Sequence, residues 1–404
     1  MKNRHPLPGP RIPSVPPSTA PALESEARAL AERLLGDVAL TRGTADKQQQ
    51  LTALSRAALF FPVFADWPAP VETWLDAAIT LAGAMAENEA LEILSVRRGA
   101  CAMRRLDLDA ALAQLDGLAP TTTRARVYAL ATRCRVLTRQ QRFADASAAL
   151  AAASDVSLEH DDWLNAHLAL AGAELALEAQ EQTPTAIATR LSSALKRLQP
   201  QQLEDRIQAL QSLGFSAIER KAPLEAWRHL DEARGILRGV GAWPEVVQMH
   251  MACASMLTIM GQPQQADQML QEAVTIDTRQ LGGRWSALCQ LSLARGDMAR
   301  GDLQASLGQA LKSASGFARQ GNGLGFAAAL IFVARAHEAG GDKTEAYRVL
   351  SLGTGIARAL KAPRMEQFIT SQIDDLRNRL GPQQFERLAA ELLAQAQARA
   401  QAPH

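Results

Sequence analysis

Cysteine and aromatic side chains are scarce in this chain. Four cysteines in 404 residues, Cys101, Cys134, Cys253 and Cys289, include no C-x-x-C pair and supply neither a disulfide framework nor a zinc site. They read as small apolar residues in a reducing compartment. Aromatics make up 4% of the residues, which leaves strands short of the side chains they favour. Neither sign of charge dominates: 43 basic residues face 42 acidic ones, for a net charge of +1. That balance argues against affinity resting on a large electrostatic patch for nucleic acid or anionic membrane. No run approaches the roughly 18 to 20 apolar residues of a membrane span, so membrane insertion is not expected. Lys2 and Arg4 lead into prolines rather than the apolar stretch of a signal peptide, and a cytoplasmic location is expected. What is abundant is Ala, Leu, Arg and Gln, within a 47% hydrophobic composition. These are helix formers, and an all-α protein follows, more than about 70% helical where about a third is ordinary.

The first 21 residues collect Pro6, Pro8, Pro10, Pro13, Pro16, Pro17 and Pro21. Such a stretch lacks amide donors and core-forming side chains, which predicts a disordered, polyproline-like arm over 1–21. Leu23, Ala27, Leu30 and Leu34 then recur at helical spacing, so folding should begin near Glu24, with a second helix from about Asp46 to Phe60. The segment 61–70, with Pro62, Pro68 and Pro70, breaks that helix. These signals mark an N-terminal helical segment over 22–89.

Beyond it the chain repeats. From Ala146, steps of 40 residues reach Ala186, Ala226, Ala266, Ser306 and Ala346. Twelve residues before each stand Cys134, Glu174, Gly214, Ala254, Ala294 and Ala334, and four after each stand Leu150, Arg190, Leu230, Leu270, Ala310 and Leu350. Turn residues fall between the helices of a unit, at Gly261, Gly301, Gly341 and Lys221, so each unit is a helical hairpin. Small residues let neighbouring helices approach and large ones fill the space between.

The pattern resembles the tetratricopeptide repeat (TPR). The copy that carries the resemblance best runs Leu210, Leu213, Gly214, Ala217, Ala226, Leu230, and another runs Leu330, Val333, Ala334, His337, Ala346, Leu350. An earlier unit holds Gly99, Ala111 and Leu115. The period is 40 rather than the family's 34, the aromatic column is mostly Leu or Ala, and Glu174 and Arg190 depart from the pattern of their unit. The resemblance implies a right-handed α-solenoid of stacked hairpins over 90–362, with 363–404 as capping helices and tail, because a solenoid end must meet water. It also implies a concave groove lined by the first helices. In this register the groove residues are Arg135, Gln208, Gln211, Phe215, Gln248, Met251, Arg295, Ile331 and Arg335.

Signals for chemistry are weak. Gly321, Gly323 and Gly325 precede a helix, but no strand comes before them and Phe326 takes the place of the last glycine of a dinucleotide loop. Gly340 to Thr344 imitates the end of a P-loop, yet Asp342 stands where glycine is required before Lys343. His337 lacks the second histidine of a zinc-protease helix. His160 and His167 are seven apart beside Asp161 and Asp162, carboxylates that suit a helix N-terminus. Trp163 and Trp243 share a column and read as packing residues at repeat edges. No catalytic residue, metal site or cofactor is expected.

Two functions remain open. One is a non-enzymatic protein–protein interaction module, a scaffold, assembly factor or chaperone, whose groove holds a peptide or helix of an acidic protein partner. The other is a ligand- or peptide-sensing regulator whose solenoid changes curvature on binding. The chaperone-binding members of the family hold a terminal carboxylate with Lys and Asn, and the groove columns here contain no Asn.

Overall fold

The computed structural model describes residues 17–64, 70–156, 161–180 and 182–401, with 395–401 by backbone alone. Helix makes up 82% of it, and no strand occurs among the described residues. The all-α expectation holds. Two compact units divide the chain, one ending at Gly261 and the other starting at Gln262.

Unit 1 opens with α1 (Ala20–Thr41), α2 (Lys47–Phe60) and α3 (Val71–Met85). Hairpins follow: α4 (Asn88–Arg104) with α5 (Leu108–Asp116), α6 (Thr123–Arg139) with α7 (Phe143–Ser154), α8 (Asp162–Glu178) with α9 (Pro184–Arg197), and α10 (Leu203–Glu219) with α11 (Pro223–Gly239). It closes on α12 (Trp243–Ile259). Unit 2 opens with α13 (Pro263–Gln280) and continues as α14 (Ser286–Arg300) with α15 (Leu303–Arg319), α16 (Gly323–Ala339) with α17 (Lys343–Ala359), and α18 (Pro363–Leu380) with α19 (Pro382–Gln401).

The connections repeat on a finer scale than a hairpin. Left-handed backbone occurs at Lys221, Gly241, Gly261, Gly301, Gly321, Gly341 and Lys361, spaced by 20 residues or a multiple of it. At Lys221 the amide N–H donates to the Ile218 carbonyl (2.9 Å) and that of Ala222 to the Ala217 carbonyl (2.9 Å). This pair of bonds satisfies the last carbonyls of α10. Glycine reaches positive φ without a Cβ penalty, which explains its recurrence in these turns. The run of three glycines is accounted for in the same way. Gly321 makes the turn, and Asn322 caps α16 by accepting from the Gly325 N–H (2.9 Å). A Cβ on Gly325 would fall 2.5 Å from the Phe317 ring.

The small column lies where helices approach. Cys134, Ala254, Ala294 and Ala334 are buried, and a Cβ on Gly214 would meet the Leu230 side chain at 2.7 Å. Ala226, on α11, is wholly buried. Ala226→Leu should therefore overpack the α10–α11 hairpin at a cost of about 1 to 3 kcal/mol. The same change at exposed Ala39 should be nearly silent, and urea midpoints of the two variants check the contrast.

Of the proline-rich arm, residues 1–16 lie outside the described residues. Ordered chain begins before the expected boundary at 21: α1 starts at Ala20, with Pro21 in its first turn, where proline is tolerated. The Ser18 hydroxyl donates to Asp231 (2.6 Å) across 213 residues of sequence, a contact that no local pattern announces. Asp46 caps α2 by accepting from the Gln49 N–H (2.9 Å).

Candidate functional site

In unit 1 the first helices of the hairpins face one another across a buried charge cluster. On α4, Arg104 sits 2.9 Å from Glu204 of α10 and also pairs with Glu245 of α12. On α6, Arg135 donates twice to Glu174 of α8 (3.0 and 2.8 Å) and once to Gln208 of α10, whose amide donates to Glu204. A second arm of the cluster centres on Asp205, which accepts from the Trp163 indole (2.9 Å) and lies 3.1 Å from the His167 ring. Trp163, His167 and Tyr128 pack beside it in tilted and edge-on contacts, with ring centroids 4.9 Å apart.

Burial and pairing compete for each acid. Burial is the largest influence on Glu174 and Asp205 and favours their neutral forms, but the surrounding partners together outweigh it, Arg135 with Arg139 and Arg104 at the first and His167 with Trp163 and Arg97 at the second, so both carboxyls are held below their usual range. At Glu245 burial wins and pushes the carboxyl up to about 7 despite Arg104, with nearby Glu204 acting in the same direction.

The segment after α2 completes this cluster. Arg97 of α4 donates to the carbonyls of Ala58 (3.0 Å) and Phe61 (2.8 Å), and the Val63 N–H donates to Glu204 (3.3 Å). Phe61, Pro62 and Val63 are buried, Phe61 packs edge-on to Trp74 at 5.3 Å, and the Arg104 guanidinium lies 6.0 Å from the Phe64 ring.

Unit 2 presents a different face. Leu288 and Phe368 are 36% and 49% exposed and stand 80 residues, two periods, apart on α14 and α18. Arg295 and Arg335, one period apart on α14 and α16, are both exposed. Arg335 donates to Gln372 (2.7 Å), lies 5.9 Å from the Phe332 ring, and borders a cleft of about 480 Å³ shared with Glu338, Asp375 and Arg379. Arg379 pairs with Glu338 at 2.7 and 3.0 Å.

The residues expected to line one groove differ in their surroundings within each unit. Arg135 and Gln208 are 4% exposed and bonded to each other inside the unit 1 cluster, so neither is open to a partner in this structure. Gln211 reaches towards the Met249 sulfur (3.8 Å). Phe215 is 45% exposed and borders a separate cleft of about 750 Å³ with Leu177, Pro184 and Ile187. Gln248 is exposed and Met251 half-buried on α12. Ile331 belongs to the unit 2 core rather than to an exposed floor, because its position on α16 turns it towards the neighbouring hairpin. Of the expected residues, Phe215 and Gln248 in unit 1 and Arg295 and Arg335 in unit 2 are exposed.

The weak chemical motifs have structural roles. Asp342 caps α17 by accepting from the Glu345 N–H (3.0 Å), and His337 lies 4.0 Å from Asp342. His160 lies outside the described residues. All four cysteines are buried and free, and burial pushes each thiol above its usual range, away from the thiolate needed of a nucleophile or metal ligand. Among the described residues no cluster of His, Cys, Asp or Glu has metal-binding geometry, and no helix is long and apolar enough to cross a membrane.

Much of the chain superposes on solved repeat structures. A Signal Transduction ATPase with Numerous Domains with a tetratricopeptide repeat sensor, from Pyrococcus horikoshii, aligns with a TM-score of 0.60 at 11% identity. The match covers 85% of this chain but only 55% of that one. The apo form of RapI aligns with a TM-score of 0.61 at 10% identity, covering 72% of this chain and 86% of that one. The fold is TPR-like. No family model matches the sequence, and no curated protein matches it significantly.

The TPR-like register also shows why the charge cluster goes unread in the sequence. Arg97, Arg104, Glu204 and Glu245 belong to no motif, and carboxylates in the first turn of α10 and α12 pass for ordinary dipole partners. One signal was available: Glu174 stands in a column of small residues, and its carboxylate is there to meet Arg135 one repeat earlier.

Proposed function

We propose that this TPR-like chain is a non-enzymatic, cytoplasmic interaction module, a scaffold, assembly factor or chaperone, which holds a peptide or helix of a protein partner and needs no cofactor. The inward face of α14, α16 and α18 is the docking surface. The carrying observation is the exposure of Arg295 and Arg335 at one-period spacing beside the exposed column of Leu288 and Phe368. Residues one period apart on neighbouring first helices project to the same side, so the two guanidinium groups suit carboxylates on one bound segment, with bidentate geometry. The apolar column suits its hydrophobic side chains.

The test compares the wild-type chain with the Arg295→Ala/Arg335→Ala double variant in affinity capture from native cytosol, followed by calorimetry with the captured protein. The double variant should bind more weakly by about 1 to 3 kcal/mol for each lost charged contact, at unchanged helicity. Equal capture and equal affinity would take binding away from this face.

A second reading, a ligand-sensing regulator, is supported by two observations. One of the similar structures carries a tetratricopeptide repeat described as a sensor, and the first helices of unit 1 are bridged by charges that a ligand would have to separate. In this reading the bound ligand changes the curvature of the hairpin stack. Small-angle scattering with and without the captured partner separates the readings, since a passive scaffold keeps its radius of gyration.

A further inference from the structure

Arg190 stands in the column that carries Leu150, Leu230, Leu270 and Leu350 in other hairpins, yet it does not take their place in the structure. The buried side chains of α9 include Ile187 and Leu191, at 1% and 0% exposure, one residue on from Ala186 and Arg190, which are both exposed. One residue along a helix is a rotation of about 100°. That slip carries the Arg190 guanidinium out of the hairpin core and over the backbone of α8. A Cβ on Gly172 would stand 3.0 Å from Arg190 Nη1 and 3.3 Å from Leu150 Cδ2 of α7. The missing side chain at 172 thus lets a cation and an apolar side chain from neighbouring hairpins meet above one helix.

Both side chains border a cleft of about 460 Å³ lined by α7, α8 and α9. Its apolar lining includes Leu150 and Leu168, both half-buried, and buried Leu175. The Ser154 hydroxyl at its edge is already engaged, donating to the Leu150 carbonyl (2.9 Å). No carboxylate lines the cleft among the described residues, and Arg190 makes no ion pair or hydrogen bond with any of them. Other exposed arginines of unit 1 do: Arg98, Arg124 and Arg142 each pair with an acid at the surface. A concave, mostly apolar lining with one unmatched charge is the composition of a small-molecule site, and the volume falls in the range of such sites.

We propose that this cleft binds a short aliphatic monocarboxylate. Arg190 takes the carboxylate on its planar guanidinium, and Leu150, Leu168 and Leu175 take the hydrocarbon body. Gly172 keeps open the place where head group and chain meet. The site belongs to unit 1 alone, uses the second helices α7 and α9, and stands or falls independently of the face of unit 2 described above.

The experiment titrates the full chain with octanoate by ligand-observed NMR, with octanamide as a probe of equal chain length and neutral head group. Octanamide should bind at least about tenfold more weakly than octanoate, because a hydrogen bond to a charged group is lost. Arg190→Gln, a change at an exposed position, should weaken octanoate by at least about tenfold. Arg197→Gln removes the same charge from the last turn of the same helix, outside the cleft, and should leave binding unchanged. Circular dichroism checks that both variants keep their helicity. Octanoate binding that survives Arg190→Gln, that octanamide matches, or that falls equally in the two variants would overturn the proposal, and so would no binding to wild type at about 10 mM, tenfold above a weak dissociation constant of about 1 mM. Binding of a blocked dipeptide of leucine and aspartate in place of octanoate, with the same dependence on Arg190, would assign the cleft to a protein segment and overturn the small-molecule ligand.

Discussion

Arg104→Met should destabilise unit 1 by about 3 to 5 kcal/mol, the range for leaving a buried ion without its partner. The side chains of Arg104, Glu204 and Glu245 are 10%, 1% and 8% exposed, so water replaces little of what is lost. The variant would leave two carboxylates in a buried site without the guanidinium that bridges them, and a buried carboxylate without its partner costs most when it is ionised. The loss should therefore be larger at pH 8 than at pH 5. Wild type already has this sign at one group. Glu245 has an ordinary value of 4.5 and a folded value of about 7, so the folded chain holds the proton more tightly than the unfolded chain between those values. The stability this contributes is fully present below about pH 4.5 and is lost as pH rises through 7. Glu245→Gln, which fixes a neutral side chain, should flatten that dependence. Urea unfolding of the three proteins at pH 5 and pH 8 measures both effects, and coincident wild-type and Arg104→Met midpoints at pH 8 would remove the bridge from the account of unit 1.

Gly235→Leu with Gly239→Leu should detach α1 from α11. These glycines lie four residues apart on one face of α11, and α1 packs directly on them. A Cβ on Gly235 would stand 2.6 Å from the Ala20 carbonyl oxygen and 2.7 Å from the Ala20 Cα, and one on Gly239 would stand 2.5 Å from the Glu24 carbonyl oxygen. Backbone cannot swing aside as a side chain can, so the helix as a whole must move. Overpacking of this kind costs about 1 to 3 kcal/mol at each site. Polar ties such as Ser18 to Asp231, Arg238 to Glu24 (3.1 Å) and Arg206 to Glu26 (3.8 Å) are too weak to hold α1 against it. Trypsin should then cleave after the exposed Arg28 and Arg33 at least about tenfold faster, a factor equivalent to roughly 1.4 kcal/mol of local opening, while most helicity persists. Unchanged cleavage would show that α1 repacks without leaving. Gly308 supplies the contrast, since open space surrounds its Cβ position within α15. Gly308→Ala should stabilise unit 2 by about 0.5 to 1 kcal/mol through helix propensity alone.

How far the sequence carries differs between the fold and the site. The columns through Gly214, Ala254 and Ala334 are legible because each reports a contact with the next hairpin, and such contacts recur at fixed spacing. The turn at Gly321 and its cap at Asn322 are legible for a related reason, since both are local chain chemistry. Arg335 and Arg295 stand in a repeating column of the sequence and are exposed in the structure. Arg135 occupies the same column and has the same residue chemistry, yet it is bonded to Glu174 and Gln208 inside unit 1. Nothing within one period distinguishes the two cases.

By itself, then, the sequence determined the helical class, the 40-residue hairpin and its register, and the positions of the turns. Those properties depend on propensity, on capping and on nearest-neighbour packing, all of which act over a few tens of residues. The tertiary structure alone decided which inward side chains remain open. Arg104 reaches Glu245 across 141 residues, Val63 reaches Glu204 across another 141, and Ser18 reaches Asp231 across 213. Contacts at that separation depend on the small rotations accumulated from one hairpin to the next and on where the non-repeating helices α1 and α2 dock. Neither is encoded in any single repeat, so a groove residue and a buried bridge look alike until the first helices are brought face to face.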